Sequence, residues 1–159
     1  MNGLRRVIPL VAVSSLLLSG CGIAIPADPH GTLDRVRGGE LRVGVSHQPP
    51  WTETYDDREP SGDEVELVEQ FAAALDADVE WAEGGESALV RALERGELDV
   101  VIGGIADDTP WAERAAATRA YAESIDDRGE RTKHVMLVRM GENRFLVELE
   151  RFLDREGRG

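Results

Sequence analysis

The sequence predicts a single α/β lobe of three layers, with about four mostly parallel strands covered by helices on both faces. Three observations carry that prediction. Short apolar stretches alternate with segments of helical periodicity. One of the stretches, Leu98-Asp-Val-Val-Ile102, is apolar almost without a break, as a strand buried on both faces has to be. The span 39–156 also has the length of one domain with one core.

Leu41-Arg-Val-Gly-Val-Ser46 alternates apolar and other residues after Gly38-Gly39 and reads as the first strand. A loop containing Pro49-Pro50-Trp51 follows. Ser61-Gly-Asp-Glu64 has the form of a capping box, with the serine hydroxyl and the glutamate carboxylate each reaching a free backbone N–H. It opens a helix to about Leu75, whose Val65, Val68, Phe71, Ala72 and Leu75 fall on one face. Asp78 to Ala82 is a short second strand with Val79 and Trp81 on one side. A helix from about Ser87 to Arg95 turns Leu89, Val90 and Leu93 inward, and Gly96 stands where a left-handed C-terminal cap belongs.

Leu98 to Ile102 is the third strand. Thr109 then caps, and Pro110 starts, a short helix expected through Ala117. The polar segment Glu123 to Arg131 separates it from a fourth strand, His134-Val-Met-Leu-Val138. Glu142 to about Arg155 forms the last helix, with Phe145, Leu146, Leu149, Phe152 and Leu153 as its apolar stripe.

The N-terminal segment is of another kind. Arg5 and Arg6 precede the apolar run Val7 to Leu18, too short for a membrane span and suited to the core of a signal peptide over residues 1–20. The run ends in Leu18-Ser19-Gly20-Cys21, which resembles the lipobox of bacterial lipoproteins, so Cys21 is the expected lipid attachment point. It is the chain's one cysteine. Residues 21–38, with two prolines and little periodicity, read as a tether.

Charge narrows the function. The chain carries a formal net charge of −13, and setting aside residues 1–20 removes two arginines and no acids. Nucleic acid is an unsuitable partner for such a surface. Anionic headgroups are repelled too, so membrane contact is expected through the lipid alone. The three histidines, His30, His47 and His134, have no metal-ligand spacing, and no nucleophile elbow or cysteine nucleophile occurs in the domain. No catalytic residue, metal site or cofactor is expected.

The ordered segments Gly39-Glu-Leu-Arg-Val-Gly44, Pro49-Pro50-Trp51, Gly62 to Leu67, Ala88 to Leu93, Gly96 to Gly104, Thr109-Pro110 and Thr118-Arg-Ala-Tyr121 resemble lobe one of the family 3 extracellular solute-binding proteins, polar amino acid receptors of ABC importers. The resemblance implies one lobe of a type II periplasmic-binding-protein fold. Members have two lobes joined by crossing strands, with the ligand closed between them. Here residues 122–132 form only a short connector where the second lobe would stand. The implied function is lipid-anchored, extracytoplasmic binding of a small polar or amino-acid-like ligand for ABC import, weakly or with a permease or second chain closing the cleft. The alternative is a protein interaction module that kept the scaffold and lost the ligand.

The resemblance also implies the site. Trp51 stands where the family packs an aromatic on the ligand, or else it lids the core. Gly103 and Gly104 permit close backbone approach, or else they make only a tight turn. Asp107 and Thr109 belong to the same loop, and Arg114 is the candidate partner of an α-carboxylate. Three departures stand out, one of them an extra acid in the loop at Asp107 or Asp108. Ala112 occupies the family's arginine position, two residues before Arg114 and roughly 200° away around a helix. Ala106 replaces a hydroxyl residue.

Overall fold

In the computed structural model, which describes residues 27–156, β1 (Glu40–Val45) lies at the middle of the parallel part of the sheet. The expected signal peptide, Cys21 and the first part of the tether lie outside the described residues. No helix among the described residues is long and apolar enough to cross a membrane.

Parallel partners flank β1: β2 (Asp78–Glu83) on one side and β3 (Val100–Ile102) on the other. β7 (Leu137–Arg139) and the edge strand β4 (Ala115–Ala117) complete a five-stranded sheet in the order β2-β1-β3-β7-β4. Both added pairings are antiparallel, so the sheet is mixed where mostly parallel strands were expected. Antiparallel edge strands on a parallel core are common in large sheets.

Helices cover both faces. Leu41, Val43 and Val45 of β1 join the larger core, formed with α1 (Thr32–Val36), α2 (Asp63–Ala74) and α4 (Asn143–Glu156). At its centre Phe71 packs against Phe145 and Phe152, with ring centroids 5.8 and 5.5 Å apart. Leu89, Val90 and Leu93 of α3 (Glu86–Glu94) form the smaller core with Val101 and Leu137 on the opposite face. The helical stripes read from the sequence are thus the buried ones, apart from the partly buried Leu146. Gly96, at φ 73°, closes α3 as expected: its N–H reaches Leu93 O, and Glu97 N–H reaches Ala92 O.

Four local expectations change. The segment after Thr109 makes a single 3-10 turn, Pro110–Glu113, and then the strand β4 in place of a helix through Ala117. Thr109 caps it as foreseen, accepting from Trp111 N–H, but pairing of Ala115–Ala117 with β7 overrides the helical preference of alanine. The stretch His134–Val138 is divided between two sheets. His134 ends β6 (Arg131–His134), while β7 begins at Leu137. Ser61 does not cap α2; its backbone pairs with Glu53, and Gly62 takes the N-cap position. Residues 32–36, within the stretch read as tether, form α1 and bury Leu33 and Val36.

Residues 30–32 are held in place by Glu142, which is 1% exposed. Its carboxylate accepts from the backbone N–H groups of His30 and Thr32 and contacts His30 Nδ1 at 2.7 Å. Burial opposes ionisation of Glu142, yet the hydrogen bonds from Thr32 and His30 outweigh it and hold the carboxyl at about 2. Burial raises its neighbour Asp28 instead.

Candidate functional site

The parallel strands β1 and β3 end side by side, and ligand sites of open α/β sheets lie beyond such carboxyl ends. After β1 the chain turns through Ser46 and His47 to Trp51; after β3 it turns through Gly103 and Gly104. A hairpin of β5 (Ala122–Ile125) and β6 brings Ser124 and His134 to the same place. A tight turn joins its strands, with Asp126 N–H donating to Glu130 O and the Asp126 carboxylate accepting from Arg128 and Glu130 N–H. Residues 122–132, expected as a short connector, fall within this hairpin, with 122–125 and 131–132 as paired strand.

Glu64 is the centre of this end of the molecule, and it is fully buried. One carboxylate oxygen accepts from the backbone N–H groups of Gly103 at 2.7 Å and Gly104 at 3.0 Å, and the other accepts from the Tyr121 hydroxyl. Burial pushes the Glu64 carboxyl up, against the Tyr121 and glycine hydrogen bonds that favour the anion. Burial and the Glu64 charge likewise raise the Tyr121 phenol, which stays a donor. Local spacing suggested a helix cap for Glu64, and nothing within its own segment points to glycines some forty residues away.

His134 lies beside this cluster. Its Nδ1 is 3.1 Å from Gly104 O, and its Nε2 is 2.8 Å from Ser124 Oγ. A carbonyl only accepts, so Nδ1 donates to Gly104 O. Trp51 stacks on the imidazole, with centroids 4.1 Å apart and planes inclined by 36°. The half-buried indole also covers Gly104, where a Cβ would lie 2.6 Å from Trp51 Cδ1. At Gly103 a Cβ would lie 1.8 Å from Ser46 Oγ. Trp51, Gly103 and Gly104 are thus brought together, and both glycine N–H groups are engaged by Glu64. Gly104→Ala, placing a side chain at φ 61° against the indole, is expected to cost about 2 kcal/mol in denaturant unfolding and to shift the tryptophan emission.

The remaining expected residues lie elsewhere. Asp107 is exposed, its N–H bonded to Lys133 O, and Thr109 is occupied with its cap. Arg114 turns to α3 and pairs with Glu94, Nε to Oε1 at 2.8 Å. Arg119 pairs with Glu150 and Asp154 of α4. The departure at Ala112 foreshadows this: neither guanidinium reaches Trp51.

An open depression of about 600 Å³ lies beside the β1 end, lined by Ser46, His47, Thr54 and the run Glu83-Gly-Gly-Glu86. Its walls are acidic, and Glu86 also accepts from Trp111 Nε1 at 2.8 Å. Such a lining suits an amine or guanidinium better than a carboxylate. Among the described residues, no group of three or more His, Cys, Asp or Glu side chains could hold a metal ion.

The fold of the lobe has counterparts among solved structures. A point mutant of the arginine-bound form of domain 1 from TmArgBP superposes with a TM-score of 0.71 at 20% identity, covering 80% of this chain and 99% of that one. An ancestral cationic amino acid solute-binding protein gives 0.68 at 13% identity, covering 80% of this chain and 94% of that one. An arginine-specific periplasmic binding protein of Salmonella typhimurium gives 0.64 at 11%, covering 76% and 94% respectively. No curated protein matches the chain significantly. Residues 41–155 match the family described as bacterial extracellular solute-binding proteins, family 3.

Proposed function

The chain belongs to the bacterial extracellular solute-binding proteins, family 3, and from that premise we propose that it is a lipid-anchored, single-lobe receptor for a small cationic, amino-acid-like ligand. The observation that carries the reading is the acidic depression between Ser46 and Glu86, at the carboxyl end of β1, in a lobe whose fold is shared with domain 1 of an arginine-binding protein. Arginine is bound in that relative's crystal structure. In this chain the cationic end of the ligand contacts Glu83 and Glu86, Trp51 supplies an apolar wall and Gly103 and Gly104 form the rim, while Asp107 and Thr109 keep to their own contacts. Arg114 takes no part while it pairs with Glu94. The anchor is Cys21, and an ABC permease or a second chain completes the cleft.

A site open on one side binds weakly, because small ligands normally have most of their surface buried. Taking ~0.4 kcal/mol for each of about ten heavy atoms gives ~4 kcal/mol, or about millimolar affinity. Calorimetry with arginine, lysine and putrescine is expected to show millimolar binding that glutamate does not show. Absence of heat with every cation at tens of millimolar would remove this reading.

The engagement of Gly103 and Gly104 N–H by Glu64 favours a second reading, an interaction module that kept the lobe and lost the ligand. A pull-down from the membrane fraction separates the two: recovery of an importer only when ligand is added supports the receptor, and ligand-independent recovery supports the module.

A further inference from the structure

At the opposite end of the sheet from the cleft, three strands deliver charge to one cavity of about 280 Å³. β1 contributes Arg42, the residue before β3 contributes Asp99, and β7, running the other way, ends there with Arg139. α1 adds Thr32 and Arg35. In a chain of net charge −13, three guanidiniums thus line a cavity with one carboxylate, Asp99, which is 2% exposed.

Asp99 is used up by two of them. It takes Arg42 through both oxygens, Nε at 3.2 Å and Nη2 at 2.8 Å, and it pairs with Arg35 as well. It also accepts from Arg42 N–H at 3.0 Å, so this part ties β1 to β3 and has a structural explanation. Two exposed carboxyls, Glu40 and Glu80, add attraction at Arg42, and the nearby Glu142 is engaged by His30 and Thr32. Arg139 is different. Among the described residues its guanidinium makes no ion pair or hydrogen bond. It is nevertheless seated, because it packs on Gly96, where a Cβ would lie 2.9 Å from Nη1. A half-buried guanidinium held against backbone, with its fork of donors free, has the geometry that recognises a carboxylate or phosphate through two parallel bonds.

We infer that the cavity between α1 and the starts of β1 and β3 is an anion site in which Arg139, supported by the positive charges of Arg35 and Arg42, binds a phosphate group. The group comes either from a soluble phosphate ester or from an anionic phospholipid headgroup. The second source fits the direction of the chain. His30 and Thr32 line the cavity, and the proposed anchor Cys21 lies only six residues before Ala27, within about 20 Å at full extension. On this account the face beside the anchor is locally basic on an acidic protein. The inference stands apart from the cleft and survives a failure of ligand binding there.

The test uses the purified full-length protein and two probes. Inorganic phosphate is titrated while the side-chain N–H signals of arginine are followed by NMR. Vesicles of phosphatidylglycerol are compared with phosphatidylcholine in a sedimentation assay. Arg139→Gln is the probe variant. Arg128→Gln, at the hairpin turn, removes the same charge elsewhere. Arg139 signals should shift with phosphate in the wild-type protein, and Arg139→Gln should weaken binding roughly tenfold or more while Arg128→Gln leaves it unchanged. Loss of the phosphatidylglycerol preference in Arg139→Gln alone would identify a headgroup, and retained vesicle behaviour with lost phosphate binding would identify a soluble ester. Equal behaviour of the two variants, or no wild-type response to either probe, overturns the inference. The wild-type arginine signals decide the matter even if Arg139→Gln fails to fold.

Discussion

Glu64→Ala is expected to lower stability by about 3 kcal/mol, a large part of the 5–15 kcal/mol typical of a small domain. The change removes the acceptor for two buried backbone N–H groups and a buried hydroxyl, and it leaves a void at the centre of the site. Gln would retain one acceptor and cost less. The effect has a pH signature. Because the folded-state carboxyl is raised above its ordinary value, its contribution is fully present below that value and shrinks as pH climbs through the raised one. Urea unfolding of wild type and variant between pH 4 and 8 should therefore show a gap that narrows as pH rises. A gap that widens would mean that the anion is the preferred form in the folded protein.

Glu142→Gln should show the opposite trend. Its carboxyl is held at about 2 against an ordinary 4.5, so its contribution is present above the ordinary value and disappears as pH falls through the lowered one. The shift alone corresponds to ~3 kcal/mol, and the raised Asp28 beside it offsets part of that. A difference of about 2 kcal/mol between wild type and Glu142→Gln at pH 7 should vanish near pH 2. The same acidification should release residues 27–32 before the sheet melts, seen as early loss of amide protection at Thr32 and Leu33. Simultaneous loss across the whole domain would show that the N-terminal segment and the core form one cooperative unit.

The two glutamates mark where sequence reasoning succeeds and where it stops. Stripes such as Phe145, Leu149, Phe152 and Leu153 are legible because helical periodicity is a property of a single segment, and burial follows from it directly. Gly96 is legible for the same reason, since its role is fixed by the helix it ends. Glu64 satisfied a local rule equally well, three residues after Ser61, and its true partners came from β3 and Tyr121. Arg114 is a parallel case: the run Pro110–Glu113 set a helical phase, but the 3-10 turn ended early and Glu94 of another helix decided where the guanidinium points. Ala115–Ala117 became a strand because β7 had a free edge, which no property of three alanines announces. What escaped the sequence is in each case a contact between separate elements.

The turn from Asp126 to Glu130 has a consequence for signalling. In a receptor built from two bodies, occupancy is reported by a change in the balance between open and shut arrangements, and the ligand does so by favouring one of them. Here the two strands that could act as a hinge are fastened to each other by a hairpin whose ladder runs from Ala122–His134 to Ile125–Arg131. The proposed single-lobe receptor therefore has no second lobe whose closure a ligand could favour. In the proposed receptor, a partner that distinguishes the loaded from the empty protein would then have to touch the bound solute itself, or the few side chains around it, and would become part of the recognition site.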